Sequence, residues 1–193
     1  FSFTGDGSAN HVAVYDTTQT GSAGWSTLGE GANDNVYALA AIGTDLYVGG
    51  GFSAAGGKSA SRIAVYDTTQ TGEAGWRALG GGVNDNVYAL TAIGTDLYVG
   101  GHFIVAGGNT SNYIAVYDTT QNGDAAWSSL GGGLDYLVYS LVAVGTDLFI
   151  GGWFNRQANG SGYRFSAKSF ALYDTAQTGE AGWRALGGGV NDN

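Results

Sequence analysis

Among its 193 residues the chain has no cysteine, no proline and no methionine, and only seven lysines and arginines against sixteen acids. Without cysteine there can be no disulfide, no thiolate metal site and no cysteine nucleophile. Scarce basic residues and a net charge of −9 argue against a protein that grips nucleic acid by its phosphates, or that seeks an anionic membrane. No apolar run approaches the ~20 residues that cross a bilayer, so membrane insertion is not expected. No basic start followed by an apolar stretch marks a signal peptide. The first residue is Phe1 rather than methionine, which reads as processing, truncation or partial coverage and leaves secretion open. Helix is wanting too, because 36 glycines interrupt every window before a 3.6-residue apolar stripe can build.

What is present is enough apolar material for one folded domain: 44% hydrophobic residues, 13% aromatic. It is arranged as a repeat. AVYD occurs at residues 13, 64 and 115 and returns as ALYD at 171, so the unit recurs every 51, 51 and 56 residues. Tryptophans follow in step at 25, 76, 127 and 183, and GTDL at 43, 94 and 145 leads each time to a glycine pair. Residues 64–86 and 171–193 differ at two of 23 positions, Val65 against Leu172 and Thr69 against Ala176.

Each unit reads as four short strands. In the second, NVYALTAIG predicts a strand near 87–93 and DLYVGG one near 96–101, joined by a glycine-bearing turn. A loop then leads to IAVYD, a strand near 113–118, and a polar link leads to one near 127–131 beginning at Trp127. Large aromatics such as Tyr66 and Trp76 are expected to be buried between units. The glycine pairs fit a place where φ is positive or where another strand comes very near.

Four strands in about 50 residues is the size of a propeller blade. The glycine pairs Gly49-Gly50, Gly100-Gly101 and Gly151-Gly152, followed by Tyr66-Asp67 and Trp76 with their equivalents, resemble a kelch repeat. The YVGGxF, AGG and W-x-x-LGxG phrases are similar to the glycine-rich kelch-like or Rax2-like repeats of secreted bacterial proteins. That resemblance implies an all-β, kelch-like β-propeller segment. It would hold about three and a half four-stranded blades in an incomplete ring: the outer strands of one blade in 1–31, and full blades in 32–80, 83–131 and 134–188. The rest of the ring would come from the same longer chain or from further copies. An extracellular or cell-surface setting is expected.

Little points to catalysis. A copper site of the kind kelch-like propellers can carry needs the cysteine that is absent. T-x-Q-x-G-x-x-x-W, at Thr68–Trp76 and Thr119–Trp127, resembles a sialidase Asp-box without its aspartate and reads as a structural turn. His11 and His102 lack ligand spacing and read as ordinary loop residues. The Asn-Asp-Asn loops at 33–35, 84–86 and 191–193 could offer oxygens to calcium, but turn capping accounts for them. Asp34, Asp85 and Asp135 could pair for glycosidase-like chemistry, yet repetition alone would place them there. No metal and no cofactor is expected. The favoured reading is a non-enzymatic binding or adhesion module, and the alternative is a glycosidase-like or lyase-like enzyme with a site at the channel mouth.

Differences between repeats carry the site prediction. Where two copies read Asn-Asp-Asn, the third has Asp135-Tyr136-Leu137, and Trp153 follows its glycine pair. The longer third unit also brings Arg156, Tyr163, Arg164, Phe165 and Lys168 into one segment. In an antiparallel blade the link entering the first strand and the link from second to third leave from the same face. A uniform scaffold that varies on one face behaves as a platform. Tyr136, Trp153, Arg156, Tyr163, Arg164 and Phe165 are therefore the candidate ligand-binding residues, for a protein or carbohydrate ligand.

Overall fold

The computed structural model describes residues 9–159, 162–166 and 169–185, and the side chains of all of these except 156–159, 162–166 and 185. The fold is all-β. A two-stranded half-blade, β1 (Ala13–Tyr15) and β2 (Trp25–Thr27), precedes the first full blade. That blade contains β3 (Val36–Ile42), β4 (Asp45–Gly50), the short hairpin β5 (Ala54–Ala55) and β6 (Lys58–Ser59), then β7 (Ile63–Asp67) and β8 (Trp76–Ala78). The second repeats the plan with β9 (Val87–Ile93), β10 (Asp96–Gly101), β11 (Val105–Ala106), β12 (Asn109–Thr110), β13 (Ile114–Asp118) and β14 (Trp127–Ser129). The third has β15 (Val138–Val144), β16 (Asp147–Gly152), β17 (Arg156–Asn159), β18 (Gly162–Ser166), β19 (Phe170–Asp174) and β20 (Trp183–Ala185).

Each blade is one antiparallel sheet in the order β3-β4-β7-β8, β9-β10-β13-β14 or β15-β16-β19-β20, with its small hairpin apart. The first strands β3, β9 and β15 lie side by side, so the blades stack around an inner edge. Three four-stranded sheets and one two-stranded sheet, not closed into a barrel, make an incomplete propeller-like segment. The first two strands of the second blade run as the sequence predicts; the third starts one residue later, and the fourth ends at Ser129. The small hairpin between second and third strands was not foreseen. The third blade's extra residues fall in it, where β17 and β18 are longer than their counterparts.

Chemistry fixes the turns. Gly43 has φ +59 and opens the two-residue link from Ile42 to Asp45, which suits a II′-type hairpin. The glycine pair answers to close approach rather than positive φ. A Cβ on Gly49 would run into Val87 of the next blade, and one on Gly50 into the Asn35 carbonyl across a register shift in its own sheet. Asp67 accepts from the Thr69 backbone N–H (2.9 Å) and hydroxyl (2.7 Å), and Asp16 and Asp118 repeat the turn. The Asp-box-like link is thus a locally hydrogen-bonded corner.

The apolar core sits between sheets rather than at one centre. One cluster joins the first and second blades through Tyr47, Val65, Leu90, Leu97 and Trp127; another joins the second and third through Ile114, Leu141, Ile150 and Trp183. The tryptophan that opens the last strand of each full blade also ties that blade to the one before. Trp76 Nε1 donates to the Leu28 carbonyl (2.6 Å), Trp127 to Leu79 (3.1 Å) and Trp183 to Gly131 (3.0 Å). Positions that need a neighbour show it: Leu90 and Leu141 are buried, whereas the equivalent Leu39 of β3 is 52% exposed, as are Val142 and Val144 at the opposite side by more than half.

Candidate functional site

Three positions per blade converge on the face where the first strand begins and the second ends. One precedes the first strand by two residues (Asp34, Asp85, Tyr136), one follows the glycine pair (Gly51, His102, Trp153), and one comes just before the third strand (Arg62, Tyr113, Ser169). The third set has positive φ in every blade: Arg62 at 64°, Tyr113 at 68°, Ser169 at 61°, and His11 at 64° in the half-blade. Left-handed backbone is uncommon for such residues. Here the loop dictates it, because the Arg62 N–H donates to the Phe52 carbonyl (2.9 Å) and its own carbonyl receives the Gly50 N–H (2.9 Å).

At the second and third blades these positions become an aromatic cluster. The Tyr136 ring meets Trp153 edge-on with centroids 5.9 Å apart, and lies 5.7 Å from Tyr113 and 6.3 Å from His102. His102 in turn stacks on Tyr113 at 6.3 Å, and its Nδ1 is 3.3 Å from an Asp85 carboxylate oxygen. Trp153 and Tyr136 keep 59% and 41% of their surface exposed, so ring area remains open to a ligand. A second row adjoins them on the inner strands, where Tyr37, Tyr88 and Tyr139 follow one another at 5.5 Å. The Asn86 amide reaches the Tyr88 hydroxyl (3.4 Å) in that row.

Of the six residues predicted from sequence, Tyr136 and Trp153 come together as described. Arg156 and Tyr163, Arg164 and Phe165 fall on β17 and β18, which pair Arg156 with Ser166 and Ala158 with Tyr163, and their side chains lie outside the described residues; so does Lys168 altogether. His102 and Tyr113 were missed. The signal that could have found them is the column of repeat positions: each replaces an unlike residue in every other blade.

The Asn-Asp-Asn loops at 33–35 and 84–86 hold backbone, and that at 191–193 lies outside the described residues. Asn84 Oδ1 accepts from Ile104 N (2.9 Å) and Val105 N (3.0 Å), Asn33 does the same for Ser53 and Ala54, and Asp85 Oδ1 takes Asn86 N (2.7 Å). Asp135 keeps this role toward Asn155 N (2.8 Å), which leaves its neighbour Tyr136 able to vary. Among the described residues no three His, Cys, Asp or Glu side chains form a metal-holding group. A face of open rings, one imidazole–carboxylate pair and amide groups can stack on and hydrogen-bond a ligand.

No protein-family model matches the chain, and no curated protein matches it. Among solved structures, it is similar to the computationally designed Ika4 protein, at 18% identity over 78% of this chain and 91% of that one, with a TM-score of 0.42. It is also similar to the computationally designed Ika8 protein, at 15% identity over 76% of this chain and 60% of that one, with a TM-score of 0.30.

Proposed function

We propose that the protein is a non-enzymatic binding or adhesion module whose ligand sits on the face carrying Tyr113, His102, Tyr136 and Trp153. The observation that carries this reading is the contact among those four side chains at positions where other blades place Gly, Asp, Arg or Ser. Open aromatic faces concentrate apolar contact area at small entropic cost, as expected of a recognition surface. Arg156, Tyr163, Arg164 and Phe165 extend the same site from the longer hairpin. The kelch-like or Rax2-like character of the repeat and an extracellular, bacterial setting belong to this proposal. Further blades of the same repeat, from a longer chain or from other copies, would cover Leu39, Val142 and Val144.

A binding screen against oligosaccharides and surface proteins, with wild type beside a Tyr136→Ala, Trp153→Ala double variant, tests it. Both positions are exposed, so melting should move little while binding of any hit drops by at least about tenfold, equal to about 1.4 kcal/mol. Equal binding by both proteins removes the site from this face.

A further inference from the structure

The half-blade has the third and fourth strands of the repeat without a first and second. In every full blade the third strand has a neighbour on either side: β7 lies between β4 and β8, β13 between β10 and β14, and β19 between β16 and β20. Among the described residues β1 pairs only with β2, so one of its edges carries unpaired backbone groups. Such an edge is a template for another strand. Beside it runs a groove of about 400 Å³, with Val12 and Ala13 on one wall and Val36, Ala38 and Leu39 of β3 on the other. Apart from the His11 imidazole, no acidic or basic side chain lines it.

The full blades show what fills the equivalent space. Val36 and Leu39 correspond to Val87 and Leu90 of β9 and to Val138 and Leu141 of β15. Val87 and Leu90 pack where a Cβ on Gly49 would lie, and Val138 and Leu141 where one on Gly100 would lie. The second strand of the preceding blade thus covers this valine and leucine with its first terminal glycine, while the first strand of that blade lies alongside. With both strands in place Val87, Leu90, Val138 and Leu141 are buried; at the half-blade Val36 is half-buried and Leu39 is 52% exposed. Ala13 is likewise half-buried where Ala64, Ala115 and Ala171 are sealed from solvent.

The piece that fits is therefore specified residue by residue. The register of the full blades sets an incoming valine opposite Ala13 and an incoming leucine opposite Tyr15, as Val48 faces Ala64 and Leu46 faces Tyr66. After the valine comes glycine of necessity, because a Cβ on Gly49 would lie 2.5 Å from Val87 Cγ1. A single strand would meet the β1 edge and leave its own far edge open, whereas a hairpin brings a partner strand to lie beside β3. We propose that the β1 edge and the β3 groove form an acceptor site for a β-hairpin of the repeat's own first-and-second-strand type, patterned on residues 86–101, NVYALTAIGTDLYVGG. The hairpin docks by strand addition and turns the half-blade into a fourth four-stranded sheet. This deepens, and rests on, the reading that further repeats cover Leu39; the aromatic face is a separate question with its own screen.

The test adds a synthetic peptide of residues 86–101, extended by lysines for solubility, to the full chain. Titration calorimetry reads binding, and amide hydrogen exchange reads the β1 edge. Three comparisons accompany it: the same peptide carrying Gly100→Val, the single-strand peptide of residues 96–101, and the chain carrying Leu39→Asp. Leu39 is exposed, so that variant should stay folded. The parent peptide should bind and slow exchange of the Ala13–Tyr15 amides by at least about tenfold. Each of the three comparisons should bind at least about tenfold more weakly. Equal binding of the Gly100→Val peptide, or equal binding to the Leu39→Asp chain, places the peptide elsewhere and overturns the proposal. Equal binding of the single strand overturns the hairpin as occupant. If the peptide does not bind but the chain self-associates in ultracentrifugation and Leu39→Asp abolishes this, a second copy covers the face; the hairpin is then overturned while further repeats stand. Neither binding nor self-association overturns both readings.

Discussion

In the half-blade, Tyr15 and Trp25 pack edge-on at 4.9 Å and remain 38% and 39% exposed; in the first full blade, Tyr66 and Trp76 keep nearly the same geometry at 5.2 Å and are 3% and 1% exposed. The residues and their pairing are the same, so the pair itself is a local device. Burial comes from the neighbour. Trp76 has a preceding blade to receive its indole N–H and a glycine-floored loop against its ring, and these turn an aromatic pair into a core.

Replacing each tryptophan by alanine should separate the two situations most widely. Trp76→Ala removes a fully buried indole and its 2.6 Å hydrogen bond, and should cost about 3–5 kcal/mol. Trp25→Ala should cost about 1 kcal/mol, the worth of an exposed aromatic pair. Denaturant melts of both measure the gap, and equal losses would break the comparison. The next effect comes from Gly56, which has φ +56 and lies directly beneath Trp76. Gly56→Ala should cost about 2–4 kcal/mol through strain and overpacking, whereas Gly72→Ala, with φ +59 and nothing nearby, should cost about 1 kcal/mol.

Acid should act on the two regions alike. Hydrogen bonds from the threonine hydroxyl and amide two residues on hold Asp16, Asp67 and Asp118 below the usual carboxylate range. A depressed folded pKa means that the unfolded chain binds more protons. The contribution is therefore complete above the ordinary aspartate value near ~3.9 and is lost as pH falls through the folded one. Thr18→Ala and Thr69→Ala should weaken the acid limb of a pH melt equally, because the turn needs no neighbouring blade. The smallest effect concerns a paired acid that differs among full blades. Burial, and then the facing Asp118, push Asp96 up, and Ser128 stands where Arg77 serves Asp45. A raised folded pKa favours the fold at low pH and loses that advantage as pH rises. Ser128→Arg should lower the Asp96 pKa and add about 0.2–1 kcal/mol near neutral pH, readable by NMR titration and melting.

Strand limits were legible because period, turn glycines and β-branched runs all agree, as at Val87–Ile93 and Asp96–Gly101. The start at Ile114 rather than 113 was not, since left-handed positions are normally signalled by Gly or Asn, and here they hold His, Arg, Tyr and Ser. In the site, Tyr136 and Trp153 stood out as departures from a repeated phrase. His102 did not, because its partners are distant in sequence, Asp85 and Tyr113 brought to it by the strand order of its own blade and Tyr136 by the stack, and a lone histidine has no spacing to betray it.

The indole-to-carbonyl links run only between successive blades, and this shapes how the molecule breathes. Opening the half-blade or the third blade breaks a single link, Trp76 to Leu28 or Trp183 to Gly131, whereas opening the first or the second full blade breaks two. Local unfolding is therefore easiest in the units held by a single link and slowest in the first and second full blades, as in a one-dimensional array of coupled units. Amide protons of β4, β7, β10 and β13 should be the last to exchange with solvent. The ring of Tyr113 then rests on the most slowly opening part of the chain, on a surface that is ordered before any ligand arrives.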